Sequence, residues 1–204
     1  TTPKAEKVYD GNALTAEGSI TGFVNGETAT FTTTGSQTEV GNSENTYTLT
    51  WDGTAKETNY TVSDSVGTLK VTKQSIVPDP DNPENYKDVT IDDPSDATYD
   101  GKEHKWSPVV TDKDGNELKE GTDYEVSYNK DDFTNVTGEI KVTITGKGNY
   151  TGTVDKTYQI TPKAVIITTD SDTRAFNDQP LTAPGRVDGI AAGETYEFTV
   201  TGTQ

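Results

Sequence analysis

The sequence contains no cysteine, no methionine and a single histidine, His104. Without cysteine there can be no disulfide framework, thiolate zinc site, thiol nucleophile or iron–sulfur cluster, so stability must come from packing alone. One histidine cannot supply a metal cage with two imidazole ligands, and His104, next to Lys105, reads as a surface residue. No run approaches the roughly 18 apolar residues needed to cross a bilayer, and residues 1–30 hold no charged-then-apolar leader. The first residue is Thr1, so the chain is expected to be a piece of a longer protein. Basic residues are also scarce: 17 against 34 acidic ones, a net charge of -17. Phosphate backbones and anionic lipid surfaces are bound by clustered Lys and Arg, so neither nucleic acid nor membrane insertion is expected.

Apolar residues are few as well. Leu, Ile, Val and Phe make up about 18% of the chain, a content that with high net charge usually marks disorder. Their placement argues otherwise. Tyr47, Leu49 and Trp51 alternate with threonines; Tyr124, Val126 and Tyr128 alternate with Glu125 and Ser127; Ile140, Val142 and Ile144 alternate with Glu139, Lys141 and Thr143. Period two predicts strands with one buried face, and an unfolded chain has no reason to show it. Turn signals punctuate these strands. Asp10-Gly11, Asn25-Gly26, Asp52-Gly53, Asp100-Gly101 and Asp114-Gly115 are expected to supply the positive φ of tight turns. No stretch of a dozen residues carries the apolar spacing and capping of a helix, so helix should be nearly absent.

The chain also repeats itself. Residues 7–37 align without a gap on residues 174–204 at an offset of 167, matching at 13 of 31 positions, among them Leu14/Leu181, Gly22/Gly189, Gly26/Gly193 and Phe31/Phe198. A fainter match at an offset of 90 sets Tyr9-Asp10-Gly11 on Tyr99-Asp100-Gly101, and Asn59-Tyr60-Thr61 on Asn149-Tyr150-Thr151. Three units follow. Repeat one covers 1–77 and lacks its first strand; a Pro- and Asp-rich linker covers 78–86; repeat two covers 87–163; the N-terminal half of repeat three covers 164–204. The proline-rich linker should be stiff, extended and solvated, whereas the second junction runs almost directly from repeat two into Val165. The apolar residues Ile190, Phe198 and Val200 of the half repeat call for a covering surface, through docking or pairing with another copy of the chain.

Candidate sites are sparse. Aromatic platforms are a common way for β proteins to hold sugars, which singles out Trp106, with Tyr99 near it in sequence, as ligand-contact candidates; Trp51 shares parity with Tyr47 and Leu49 and is expected to face the core. Asp79, Asp81, Glu84 and Asp88 open an acidic stretch, 79–96, where oxygen ligands could hold calcium; otherwise no cofactor is called for. No paired carboxylates show the convergence that glycoside hydrolysis requires, so no enzyme is expected. The triplets Asn59-Tyr60-Thr61 and Asn149-Tyr150-Thr151 fit a glycosylation pattern but occupy one repeat position, and read as a shared turn before a strand.

With these motifs in place, the sequence resembles the tandem MBG and YDG-type repeat domains of bacterial cell-surface adhesins. Repeat one, from Lys7-Val8-Tyr9-Asp10-Gly11-Asn12 through Leu69-Lys70-Val71-Thr72, resembles one such unit over nearly its whole length. Repeat two resembles a related unit through Tyr99-Asp100-Gly101-Lys102, Leu118-Lys119-Glu120-Gly121-Thr122-Asp123-Tyr124 and Thr143-Ile144-Thr145-Gly146-Lys147-Gly148-Asn149-Tyr150-Thr151-Gly152. Repeat three departs with Phe176-Asn177-Asp178 in place of Tyr-Asp-Gly. The resemblance implies an extracellular location on a Gram-positive cell surface or wall, with neighbouring repeats of the same polypeptide, and host glycan or protein, as partners. The expected fold is all-β: tandem immunoglobulin-like β-sandwiches in an elongated rod, with β-grasp repeats as the alternative. The expected function is a non-catalytic stalk or adhesive repeat, the alternative being a binding module for mucin-like glycan or protein with a shallow aromatic or polar surface.

Overall fold

Alternation of bulky and hydroxylated residues produces strands throughout. The computed structural model describes residues 1–78 and 89–202, and among these it is all-β, with no α-helix and one short 3-10 turn at Glu57–Asn59. In repeat one the strands are β1 (Ala5–Val8), β2 (Thr30–Thr33), β3 (Gly41–Glu44), β4 (Tyr47–Thr50), β5 (Thr68–Thr72) and β6 (Gln74–Ser75). They build a three-stranded sheet in the order β1-β5-β3 and a separate antiparallel β2–β4 pair. In repeat two follow β7 (Val89–Ile91), β8 (Ala97–Thr98), β9 (Val110–Asp112), β10 (Tyr124–Tyr128), β11 (Glu139–Gly146), β12 (Tyr150–Thr151) and β13 (Thr153–Thr161). They form a four-stranded sheet, β10-β11-β13-β8, and a β7–β9 pair. Repeat three contributes an antiparallel pair, β14 (Ile166–Thr169) and β15 (Gly185–Asp188).

The two full repeats share one uncommon pairing. In repeat one the last strand of the sheet runs parallel to the first, from Ala5 opposite Leu69 to Val8 opposite Thr72, and the pairing continues as Tyr9 N–H donates to the Thr72 carbonyl at 2.9 Å. In repeat two Ile160 lies opposite Ala97 and Thr161 opposite Thr98, again parallel, and Tyr99 N–H donates to the Thr161 carbonyl at 2.9 Å. Each Tyr-Asp-Gly turn therefore leaves its sheet from the same place, beside the end of the repeat's last long strand.

The chain divides into two compact units that do not follow the sequence in order: Thr1–Ile91, Val109–Val126 and Thr143–Val154 form the first, and Asp92–Pro108, Ser127–Val142 and Asp155–Gln204 the second. In the first, Leu69, Val71 and Ile76 are almost wholly buried. In the second, Ile140, Val142 and Ile160 are, each apolar side chain being worth roughly 1.5–3 kcal/mol on burial. The fully buried Asn45 ties three segments of repeat one together, its Nδ2 donating to the carbonyls of Pro3 at 3.0 Å and Ala16 at 2.8 Å. Gly35 makes room for it, since a Cβ there would lie 2.5 Å from the Asn45 Cα.

Two expectations need correction. Gly11, Gly26, Gly101 and Gly115 do take positive φ, but Gly53 does not. It is glycine for another reason: a Cβ would come within 2.2 Å of the Thr28 carbonyl oxygen. The shared Asn-Tyr-Thr triplets also differ in surroundings. Tyr150 begins β12 and is buried, whereas Tyr60 follows the 3-10 turn, with no strand until β5, and stacks on Trp51 of its own repeat at 5.9 Å.

Candidate functional site: the Tyr-Asp-Gly turns

The turn itself is built by aspartate chemistry. In repeat one Asp10 Oδ1 accepts from Asn12 N–H at 2.9 Å, Gly11 takes φ 79°, and Lys7 Nζ donates both to Asp10 and to the Asn12 carbonyl. The Lys7 ammonium, helped by that N–H, holds the Asp10 carboxyl below the usual carboxylate range. Repeat two makes the same turn: Lys102 N–H donates to Asp100 Oδ1 at 3.0 Å and Gly101 takes φ 80°. Here the second partner is His104, whose Nε2 lies 2.8 Å from Asp100 Oδ1. The Lys102 N–H, then His104, lower the Asp100 carboxyl in turn. The lone histidine thus braces a turn.

Repeat three keeps the shape with other residues. Gln179 N–H donates to Asn177 Oδ1 at 3.3 Å, Arg174 donates to the Gln179 carbonyl as Lys7 does to that of Asn12, and Asp178 takes φ 56°. Other local geometry recurs at the same offset. Thr1 and Ser19 exchange backbone hydrogen bonds where Thr168 pairs with Arg186, and Gly22 and Gly189 take φ 104° and 96°.

What the turns touch is the informative part. In the first compact unit the Tyr9 ring meets the Tyr150 ring edge-on at 5.7 Å, and Tyr9, Asp10 and Gly11 line a small cavity with Gln74, Asp112 and Lys113. Beside it β6 pairs parallel with β12, Gln74 opposite Tyr150, while Val40 N–H donates to Asn149 Oδ1 at 3.0 Å and Asn149 Nδ2 donates to Glu39. Repeat one is thus joined to repeat two by main-chain pairing and an aromatic contact. Burial pushes the Tyr150 hydroxyl up to about 12. In the second compact unit the Tyr99 hydroxyl donates to Glu194 of repeat three, which raises its pKa, and a Cβ on Gly101 would lie 3.9 Å from the Ala191 Cβ.

The receiving loops correspond. Residues 24–27 and 191–194 are related by the offset of 167, with Glu27 N–H donating to Val24 and Glu194 N–H to Ala191, and Gly26 and Gly193 at φ 71° and 88°. The loop at 112–116 of repeat two has its glycine, Gly115, at φ 82°. The first turn thus lies beside Asp112 and Lys113 of the following repeat, and the second against residues 191–194.

The sequence-predicted residues fall as follows. Tyr99 belongs to the second of these contacts. Trp106 is half-buried; its N–H donates to the Tyr158 hydroxyl at 3.2 Å and its carbonyl accepts from the Tyr128 hydroxyl at 2.8 Å. No hydrogen bond or ring contact among the described residues joins it to Tyr99. Asp79, Asp81, Glu84 and Asp88 lie outside the described residues. Among the described residues no cluster of three or more His, Asp or Glu side chains could hold a metal ion. Sequence reading missed the half-buried ring cluster of Phe23, Trp51 and Tyr60, with Phe23 edge-on to both others at 6.1 and 5.2 Å, and the Lys105 ammonium over the Tyr128 ring at 4.7 Å. Only the parity of Trp51 hinted at the first.

No protein-family model, curated protein or solved structure matches the chain. What the turns do is read from their geometry.

Proposed function

We propose that the chain is a run of non-catalytic β repeats, immunoglobulin-like in kind and linked end to end, serving as a stalk or adhesive segment of a bacterial cell-surface protein. One observation carries the reading: the tyrosines that recur between repeats, Tyr9 and Tyr99, contact the following repeat at Tyr150 and Glu194, so what the sequence repeats is a joint between modules. The cell-surface part rests on the sequence resemblance to adhesin repeats. The strong negative charge would keep densely displayed copies apart in solution. Small-angle scattering on the soluble chain tests the end-to-end arrangement: an extended profile is expected, and a compact one counts against it.

A second reading, a binding module for host glycan or protein, is favoured by the Phe23, Trp51 and Tyr60 rings, which remain partly accessible. Glycan-array screening with Trp51→Ala and Trp106→Ala as controls separates the two. Binding lost in either variant supports a module; a flat array leaves the spacer role.

A further inference from the structure

A fold under tension yields easily where its bonds break one after another and resists where a row of them must break together. When the strands by which the chain enters and leaves a sheet pair in parallel, pulling on their outer ends slides one along the other, and every bond between them is loaded at once. Both full repeats are closed by such a pair. In repeat one β1 lies on β5 over four residue pairs, from Ala5 and Leu69 to Val8 and Thr72, and the Tyr9 N–H adds a bond to the Thr72 carbonyl. Side chains reinforce this seam. Thr72 Oγ1 donates to the Lys7 carbonyl at 3.3 Å, Lys70 pairs with Glu6 at 2.8 Å, and Gly67 N–H donates to Thr2 Oγ1 at 3.0 Å. β5 is the middle strand of its sheet, and Leu69 and Val71, 0% and 2% exposed, shield one side of the seam from water.

Repeat two follows the same plan with a shorter ladder. β8 lies on β13 over two residue pairs, extended by the Tyr99 N–H to the Thr161 carbonyl, and β13 is again the interior strand with β8 at the edge. Gln159 donates from its backbone N–H and its Nε2 to Asp96 at 2.9 and 3.1 Å, and Lys156 pairs with Asp93. In each repeat the chain between the paired strands stays off the line of tension for as long as the pair holds. We infer that each parallel pair is a mechanical clamp that carries tension across its repeat, the clamp of repeat one being the stronger. Its use under load rests on the stalk reading, whereas the clamp is a property of each sheet alone, so a compact scattering profile would remove the first and leave the second.

Single-molecule force spectroscopy of the full chain, held by peptide tags at its two termini, reads the outcome. Two abrupt lengthenings are expected, about 240 Å for repeat one and about 230 Å for repeat two, at up to about 3.6 Å per residue over 5–72 and 97–161. The first should need the higher force. Glu6→Cys with Lys70→Cys joins two residues that already face each other in a chain with no other cysteine. Its disulfide should abolish the high-force event, and its reduced form should keep it, which shows that the variant folds. Pulling instead from Lys4→Cys and Ser65→Cys, at the same end of the two strands, unzips the seam bond by bond and should open repeat one at less than about half the force. Equal forces in the two geometries, a series of shorter steps in place of the two long ones, or a high-force event that survives the disulfide would each overturn the inference.

Discussion

At the scale of single residues, the polar groups with most effect are those buried at points where segments meet. Tyr150 is 6% exposed and its hydroxyl titrates at about 12, above the ordinary value of 10. Its raised pKa favours the neutral form in the folded chain, so the associated stability is complete below pH 10 and is lost as pH rises towards 12. Tyr9, Tyr47, Tyr60 and Tyr99 shift the same way and share that alkaline loss. Melting temperatures between pH 9 and pH 12 should therefore fall for wild type and fall less steeply for Tyr150→Phe; identical slopes would remove Tyr150 as a contributor. Asn45 acts differently, through its two hydrogen bonds to the carbonyls of Pro3 and Ala16. Asn45→Ala should cost about 1–3 kcal/mol in urea unfolding, the penalty of leaving buried acceptors unpaired. Gly53→Ala should also destabilise, by backbone collision with Thr28 and not by a change of preferred φ.

Elements show where sequence reasoning succeeds. The alternation over 139–146 places Ile140, Val142 and Ile144 on one face, and each is 0% exposed. β14 is a strand with equally bulky residues, yet Ile166 and Ile167 are 64% and 63% exposed. Periodicity identifies a strand with a bulky face; it does not say whether another element covers that face. Ile140→Ala should therefore cost about 2–5 kcal/mol and Ile167→Ala less than about 0.5 in chemical denaturation, and equal costs would mean that the two strands are packed alike. Asp-Gly pairs were legible as turns because aspartate and a left-handed glycine act locally. Their partners were not. Tyr9 meets Tyr150 and Tyr99 meets Glu194 across separations that no window of sequence spans. Gly53 misled for a related reason, since close approach of a distant backbone segment leaves the same residue as a positive φ.

For the whole molecule, recurrence is the organising fact. A turn held by an aspartate or asparagine side chain is made three times, twice with its tyrosine against the next repeat, at Tyr150 and at Glu194, and once with an exposed phenylalanine. If these turns are joints, adjacent repeats should be energetically coupled through them. A double-mutant cycle of Tyr9→Ala and Tyr150→Ala, read by urea unfolding of the full chain, measures that coupling directly. An interaction energy of about 0.5–1.5 kcal/mol, the range for an edge-to-face aromatic pair, is predicted; strictly additive single-variant losses would contradict the claim that the Tyr-Asp-Gly turn joins one repeat to the next.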